Sequence, residues 1–245
     1  MLKQLDEYKA RLDAFRPLGP ELLPEIKAYY RVGLTYTSTA LEGFTYTESE
    51  TKVLLEEGLT VGGKPLRDAL AVTGHAKAYD YMFSLLGAEG LTCADILAMH
   101  RLLAGALESG QAGAYRQRQV FVTGTSHAFP APSAVPRRMD ELGAWLVEAR
   151  DALHPVEYAA RLHLRLVSIH PFEDGNGRTA RLAMNAALLQ RGYLPAVIPP
   201  VLRAEYIASI KDAQEHGAES QYLTFMYRRE IETMKEMLRL LQGTA

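Results

Sequence analysis

The chain has 245 residues, 48% hydrophobic and 23% charged, a balance that suits one large globular domain and excludes dominant disorder. A formal net charge of −2 supplies no basic field to attract nucleic acid, so no nucleic-acid partner is expected. Cys93 is the single cysteine, which excludes an intrachain disulfide and any thiolate cluster and fits a reducing compartment.

Taken in chain order, the elements are almost all helical. Residues 2–15 are amphipathic and charged throughout, which reads as a helix and not as a signal peptide. No run approaches the roughly 18 apolar residues of a membrane span. A cytoplasmic location is therefore expected. Pro17, Gly19 and Pro20 interrupt the pattern, and Pro24 can open a second helix running towards Glu42, with Gly43 as its stop. Thr47 and Glu50 form a capping-box pattern before KVLLEE, which Gly58 closes. Helical spacing returns over 66–86, 93–106, 137–153, 157–169, 178–191, 203–216 and 219–242. The exception is QVFVTGTSHAFPAP, residues 119–132, where Val120 and Val122 alternate with polar neighbours and Gly124 permits a tight turn. This segment is expected to form a short β-hairpin flap.

The stretch HPFEDGNGRTAR, His170 to Arg181, concentrates the chemistry. Asp174-Gly175 and Asn176-Gly177 would serve a plain chain reversal, so any function must explain more than the turn. A dinucleotide fingerprint belongs after a strand, but here a helix precedes it. A calcium loop would need a carboxylate where Asn185 stands, and a Walker A loop would need a lysine at a different spacing. Phosphate binding at a helix start meets neither objection. Backbone N–H groups of Gly175, Asn176 and Gly177 can converge on an anion, and Arg178 and Arg181 share one helix face. Asp174 or Glu173 can hold a magnesium ion whose other ligands are phosphate and water. His170 has the side chain best suited to act as a base near neutrality.

The stretch closely resembles the signature of the Fic family, H-P-F-x-[D/E]-G-N-G-R with a second arginine three residues on. The resemblance implies an all-α, Fic-like helical domain with a short β-hairpin flap. It implies a protein adenylyltransferase in which His170 deprotonates a hydroxyl of a target protein, whose oxygen attacks the α-phosphate of ATP. By the same resemblance Asp174 holds Mg²⁺, Gly175, Asn176 and Gly177 form the anion hole, Arg178 takes the β-phosphate, and Phe172 anchors the loop. The flap residues Val120, Phe121, Val122 and Thr123 would dock an extended target segment by strand addition. Tyr206 and Gln214 resemble positions at the adenine pocket, although Tyr206 suits a core position equally well. His127, in the flap, reads either as a contact to nucleotide or target or as a solvated turn residue.

Ser38-Thr-Ala-Leu-Glu42-Gly43 matches the Fic inhibitory pattern [S/T]-x-x-x-E-[G/N], in which the glutamate pairs with the second signature arginine. The pair here would be Glu42 and Arg181, giving the subclass with an N-terminal inhibitory helix. Residues 1–48 are then an N-terminal helical segment carrying the motif, and 49–245 the Fic domain with its C-terminal helices. The alternatives are de-AMPylation, transfer of another phosphate-containing group, and a nucleotide-binding regulatory module without catalysis. Self-modification and a homodimer are left open, as is the identity of the target.

Overall fold

The computed structural model describes residues 1–15, 22–107 and 110–243. The expected interruption at Pro17, Gly19 and Pro20 lies outside the described residues. Ten α-helices make up the described chain: α1 (Leu2–Asp13), α2 (Leu22–Ala40), α3 (Glu48–Glu57), α4 (Leu66–Ser84), α5 (Cys93–Ala104), α6 (Val135–Ala149), α7 (Pro155–Ile169), α8 (Asn176–Gln190), α9 (Arg203–His216) and α10 (Glu219–Gly243). Local chemistry starts several of them. The Thr47 hydroxyl accepts from the Glu50 N–H while the Glu50 carboxylate accepts from Thr47, and Thr92 with Asp95 repeats the box at α5. Pro155 opens α7, where a missing N–H costs nothing.

The pattern of burial orders the helices. An ordinary surface helix is apolar on one stripe, but α8 is buried nearly all round, from Asn176 to Leu188, and so must be central. It packs against α7, with α4 and α5 on another side; α6 and α10 lie against α7, and α9 lies against α10. The first helix lies on α10, and α2 crosses α4 so that its C-terminal end reaches α8. One apolar cluster runs from Leu5 through Met99, Leu166 and Leu188 to Leu241, joining all these layers. Among the described residues no helix is long and apolar enough to cross a membrane.

The β-hairpin expected at 119–132 is corrected. The chain does turn at Gly124, with φ 81°, but among the described residues there is no strand. Side chains fasten the segment at a few points: the Arg116 guanidinium donates to the carbonyls of Arg118 (3.0 Å) and Pro130 (2.6 Å), and the Glu215 carboxylate accepts from the Ser126 N–H (2.6 Å). Side chains hold the two arms in place of backbone pairing.

Where α4 crosses α5, Gly74 sets the distance, since a Cβ there would meet the Leu103 carbonyl oxygen at 2.4 Å. Gly74→Ala is expected to force the two helices apart and destabilise the fold by about 1–3 kcal/mol, the usual cost of overpacking. A urea denaturation midpoint equal to that of the parent would contradict this.

Candidate active site

The signature loop joins the two central helices, and its shape follows from how each end is held. The last turn of α7 closes on His170, the one non-glycine residue with positive φ among the described residues (φ 52°). For a residue with a Cβ this conformation costs energy, and it persists because neighbours fix it. The Arg116 side chain donates to the His170 carbonyl (2.8 Å), and its backbone N–H donates to that of Pro171 (2.9 Å). The imidazole Nδ1 lies 3.3 Å from the Val167 carbonyl, which can only accept, so the proton sits on Nδ1 and Nε2 carries the lone pair. Burial pushes the His170 pKa below its ordinary value of 6.5, against an opposing pull from the Val167 carbonyl.

Beyond His170 the loop is clamped from beneath. Phe172 is fully buried and stacks on His100, with ring centroids 3.7 Å apart and planes within 4°. The Asn176 side-chain oxygen accepts from the Phe172 N–H and its amide donates to the Phe172 carbonyl, both at 2.9 Å. This arrangement commits the Asn176 side chain to shaping the loop. His100 accepts from the Gly113 N–H at Nδ1 (2.9 Å), which places its proton on Nε2, and this donates to the Asp174 carbonyl (3.1 Å). Burial lowers the His100 pKa to about 4, so it serves as a neutral brace.

The start of α8 faces the other way. Gly175 caps it with φ 75°, and its N–H is taken by the Asp174 carboxylate (2.7 Å). The first intrahelical bond is from the Thr179 N–H to the Gly175 carbonyl (2.9 Å). The N–H groups of Asn176, Gly177 and Arg178 therefore precede the hydrogen-bonded ladder and crown the positive end of the helix, a site for an anion. Arg178 is 2% exposed; one nitrogen donates to Asp174 (3.0 Å) and the guanidinium lies over the Phe44 ring at 5.0 Å. Its Nε and second terminal nitrogen have no partner. Leaving such donors unmade inside a protein is costly, and burial lowers the Arg178 pKa accordingly.

Arg181, one turn further, is fully engaged. It donates to the Ser38 hydroxyl (3.0 Å), the Ser38 carbonyl (2.9 Å) and the Glu42 carboxylate (2.7 Å), which is 139 residues away in sequence. Burial acts against its charge, but Glu42 and Tyr206 more than compensate, and its pKa is raised. Gly177 is what lets Glu42 in, since a Cβ there would lie 2.5 Å from the Glu42 carboxylate oxygen. Gly43 follows with φ 88°, and Arg203 donates to the Leu41 carbonyl (2.7 Å), so α9 holds the end of α2.

The remaining candidates fall elsewhere. Tyr206, assigned by resemblance to the adenine pocket, is 1% exposed and hydrogen-bonds His163 at 2.7 Å in the core. Gln214 donates to the Ser168 hydroxyl (3.1 Å), tying α9 to α7. The flap residues Phe121, Val122 and Thr123 are exposed, Phe121 by 90%, and Val120 is partly so. His127 lies near the Ser168 carbonyl (3.3 Å), with Phe129 between it and the His170 ring. Glu173 points out to Arg118 (2.5 Å). Sequence reading missed Arg116, His100 and His163, whose contacts are to backbone or to other buried groups and leave no spacing pattern.

Comparison with known proteins fits this geometry. Residues 90–188 match the Fic/DOC family. A solved fragment of Fic-1 from C. elegans superimposes with a TM-score of 0.87 at 30% identity, covering 100% of this chain and 72% of that one. This chain belongs to the Fic/DOC family. A Fic-domain signaling protein from Bacteroides thetaiotaomicron gives the same TM-score of 0.87 at 28% identity, over 99% of this chain and 98% of that one. The protein adenylyltransferase Fic of Nematostella vectensis is 37% identical over 231 residues, 93% of this chain and 53% of its own length. Its namesake in Drosophila mojavensis is 38% identical over 216 residues, 87% of this chain and 42% of its own length. This Fic chain thus spans about half the length of these curated relatives.

The Asn176 brace predicts a stability effect. Asn176→Ala strands the buried N–H and carbonyl of Phe172, and about 2–4 kcal/mol should be lost if each stranded group costs the lower part of its usual range. Thermal unfolding measured without nucleotide checks it, and an unchanged midpoint would show that the loop holds its shape by other means.

Proposed function

We propose that this chain is a protein adenylyltransferase that transfers AMP from ATP to a hydroxyl side chain of a target protein and is restrained by Glu42 against Arg181. The observation that carries the reading is Arg178, a buried guanidinium with two unpartnered nitrogens behind a helix N-terminus, one loop away from a histidine with a free Nε2. A bound β-phosphate would supply the missing partners. The names of the relatives, each a protein adenylyltransferase Fic, point the same way.

In the proposed reaction His170 Nε2 takes the proton of a target hydroxyl, whose oxygen bonds to the α-phosphorus as the bond to the β-phosphate bridge breaks. Pyrophosphate leaves, and the target carries AMP. Asn176, Gly177 and Arg178 N–H groups and the Arg178 side chain hold phosphate oxygens as charge moves onto them, which is catalysis by positioning and preorganised dipoles. Asp174 fits a magnesium site: its side chain is 52% exposed, and an octahedral ion asks only one or two carboxylates of the protein when phosphates and water complete the set. Among the described residues no group of three or more His, Cys, Asp or Glu gathers to form an all-protein metal cage. When bound, the ion would neutralise phosphate charge. The exposed Val120–Thr123 arm would pair with an extended target segment, which would supply the strand partner that the flap lacks within this chain.

Restraint follows from the shared arginine. While Glu42 occupies Arg181, the γ-phosphate lacks that ligand, and ATP binds without its productive alignment. Glu42→Gly should raise transfer roughly ten- to a hundredfold, the equivalent of a charge-assisted contact of ~1.5–3 kcal/mol. The test incubates that variant and the parent with a lysate and ATP labelled at either the α- or the γ-phosphate. Protein-bound label from the α-position alone supports AMP transfer, whereas label from the γ-position would replace it with phosphoryl transfer.

Two further outcomes follow. His170→Ala should abolish transfer yet bind nucleotide, since the anion site is untouched. Because burial lowers the His170 pKa, its base form persists into mild acid. The kcat/KM profile of the Glu42→Gly protein should rise through an inflection below 6.5 and be flat above it. An inflection above 6.5 would remove His170 from the role of base. Asp174→Ala should weaken magnesium-dependent nucleotide binding and turnover together, and equal affinity with and without the carboxylate would exclude it as the metal ligand.

A further inference from the structure

We propose that Phe44 is a second restraining residue, whose ring shields the Arg178 guanidinium from the β-phosphate of a nucleotide while Glu42 occupies Arg181. The proposal rests on the reading of Arg178 as the β-phosphate ligand and adds a residue to the regulation of that site.

Phe44 is buried, 8% exposed, yet it belongs to neither apolar cluster of the described residues. Its neighbours in sequence do: Leu41 is part of the large core, and Tyr46 packs with Leu54 of α3 and with Ala69 and Val72 of α4. Two guanidinium groups meet the Phe44 ring instead. The central carbon of the Arg178 group lies over it, 5.0 Å from the centroid, and that of Arg67, at the start of α4, lies over it at 5.2 Å. The face of an aromatic ring is negative, so it stabilises a cation that burial has stripped of water. Arg178 is such a cation: it is buried, gives one nitrogen to Asp174 and keeps two others out of solvent without a partner. Donors that no water reaches are equally closed to a phosphate. A ligand can take them only after a group covering the side chain has moved, and the Phe44 ring is a cover carried by the same turn as Glu42.

The backbone holds that cover in place from both sides. At Gly43, φ 88°, the chain turns back, and the Phe44 N–H donates to the Thr39 carbonyl in the last turn of α2 (3.3 Å). On the other side Thr45 donates to the buried Asp68 carboxylate of α4 through its N–H (2.8 Å) and its hydroxyl (2.6 Å), and Lys64 donates to the Thr45 carbonyl (2.5 Å). One turn thus presents a carboxylate to Arg181 and a ring to Arg178, two residues apart in sequence. The two contacts act at different phosphates. Glu42 competes with the γ-phosphate, so by itself it distinguishes ATP from ADP, whereas a ring over Arg178 restrains every nucleotide that carries a β-phosphate and leaves AMP alone.

The test measures binding of AMP and MgADP by calorimetry to the full chain as the parent, as Phe44→Ala, as Arg178→Gln and as the doubly substituted form. Phe44→Ala should tighten ADP binding roughly fivefold to thirtyfold, the equivalent of a desolvated cation–π contact no longer opposing the ligand, and leave AMP binding nearly unchanged. The gain should vanish in the Arg178→Gln background. Unchanged or weaker ADP binding in Phe44→Ala would overturn the proposal, weaker binding by making the ring a support for Arg178. An equal gain for AMP and ADP, or a gain that survives Arg178→Gln, would also overturn it, since the ring would then act elsewhere than on this arginine. If Arg178→Gln alone leaves the preference for ADP over AMP intact, the β-phosphate reading fails first and the shield fails with it. The unaltered chain supplies an independent check by NMR. Nuclear Overhauser contacts between the Phe44 ring and the Arg178 side chain are expected in the free and AMP-bound chain and should be lost with saturating MgADP. Their persistence in the ADP complex would refute the shield even if the substituted chains do not fold.

Discussion

A buried guanidinium is the constraint around which this molecule is arranged. Arg181 sits on a helix enclosed on nearly every side, where an unpaired charge would cost several kcal/mol. Two adjoining pieces of chain meet that cost: α2 brings Ser38 and the turn after it brings Glu42. The packing of α2 across α4 onto α8 is thus also an electrostatic arrangement. The glycine at 177 belongs to the same arrangement, because any side chain there would occupy the place of the Glu42 carboxylate.

Around that centre the signature loop divides its residues between shape and chemistry. Asn176, His100 and Arg116 are spent on holding backbone groups while the Phe172 ring stacks on His100, and all four are buried. Their interactions are short-range and mutually supporting, so the His170 backbone can rest at positive φ without relaxing. By contrast, the donors left open are two buried nitrogens of Arg178 and the first-turn N–H groups of α8. Under the proposed function a bound phosphate would meet the open donors and return their cost in stability.

Much of this was legible in the sequence, for identifiable reasons. The helices follow the 3.6-residue period and local caps, and so the stretch read as 66–86 appears as Leu66–Ser84 and that read as 203–216 as Arg203–His216. The proximity of Glu42 and Arg181 was legible only through two motifs known to work together, since no local rule links residues 139 positions apart. The flap shows no strand because the alternation of Val120 and Val122 reports only strand preference, while side chains from outside the segment, Arg116 on the Pro130 carbonyl and Glu215 on the Ser126 N–H, hold its course. Tyr206 shows a further limit. A tyrosine on a helix facing a nucleotide and one facing a buried histidine share the same spacing, and only the position of His163 distinguishes them.

If one guanidinium serves both Glu42 and the nucleotide, the two substitutions at this contact cannot act independently. The direct measurement is a double-mutant cycle on the rate of AMP transfer from α-labelled ATP, using the parent, Glu42→Gly, Arg181→Ala and the doubly substituted chain. A shared arginine predicts that Glu42→Gly activates only when Arg181 is present, so that the double variant is as slow as Arg181→Ala alone. The same fold activation by Glu42→Gly in both backgrounds would contradict it, placing the effect of Glu42 elsewhere than on Arg181.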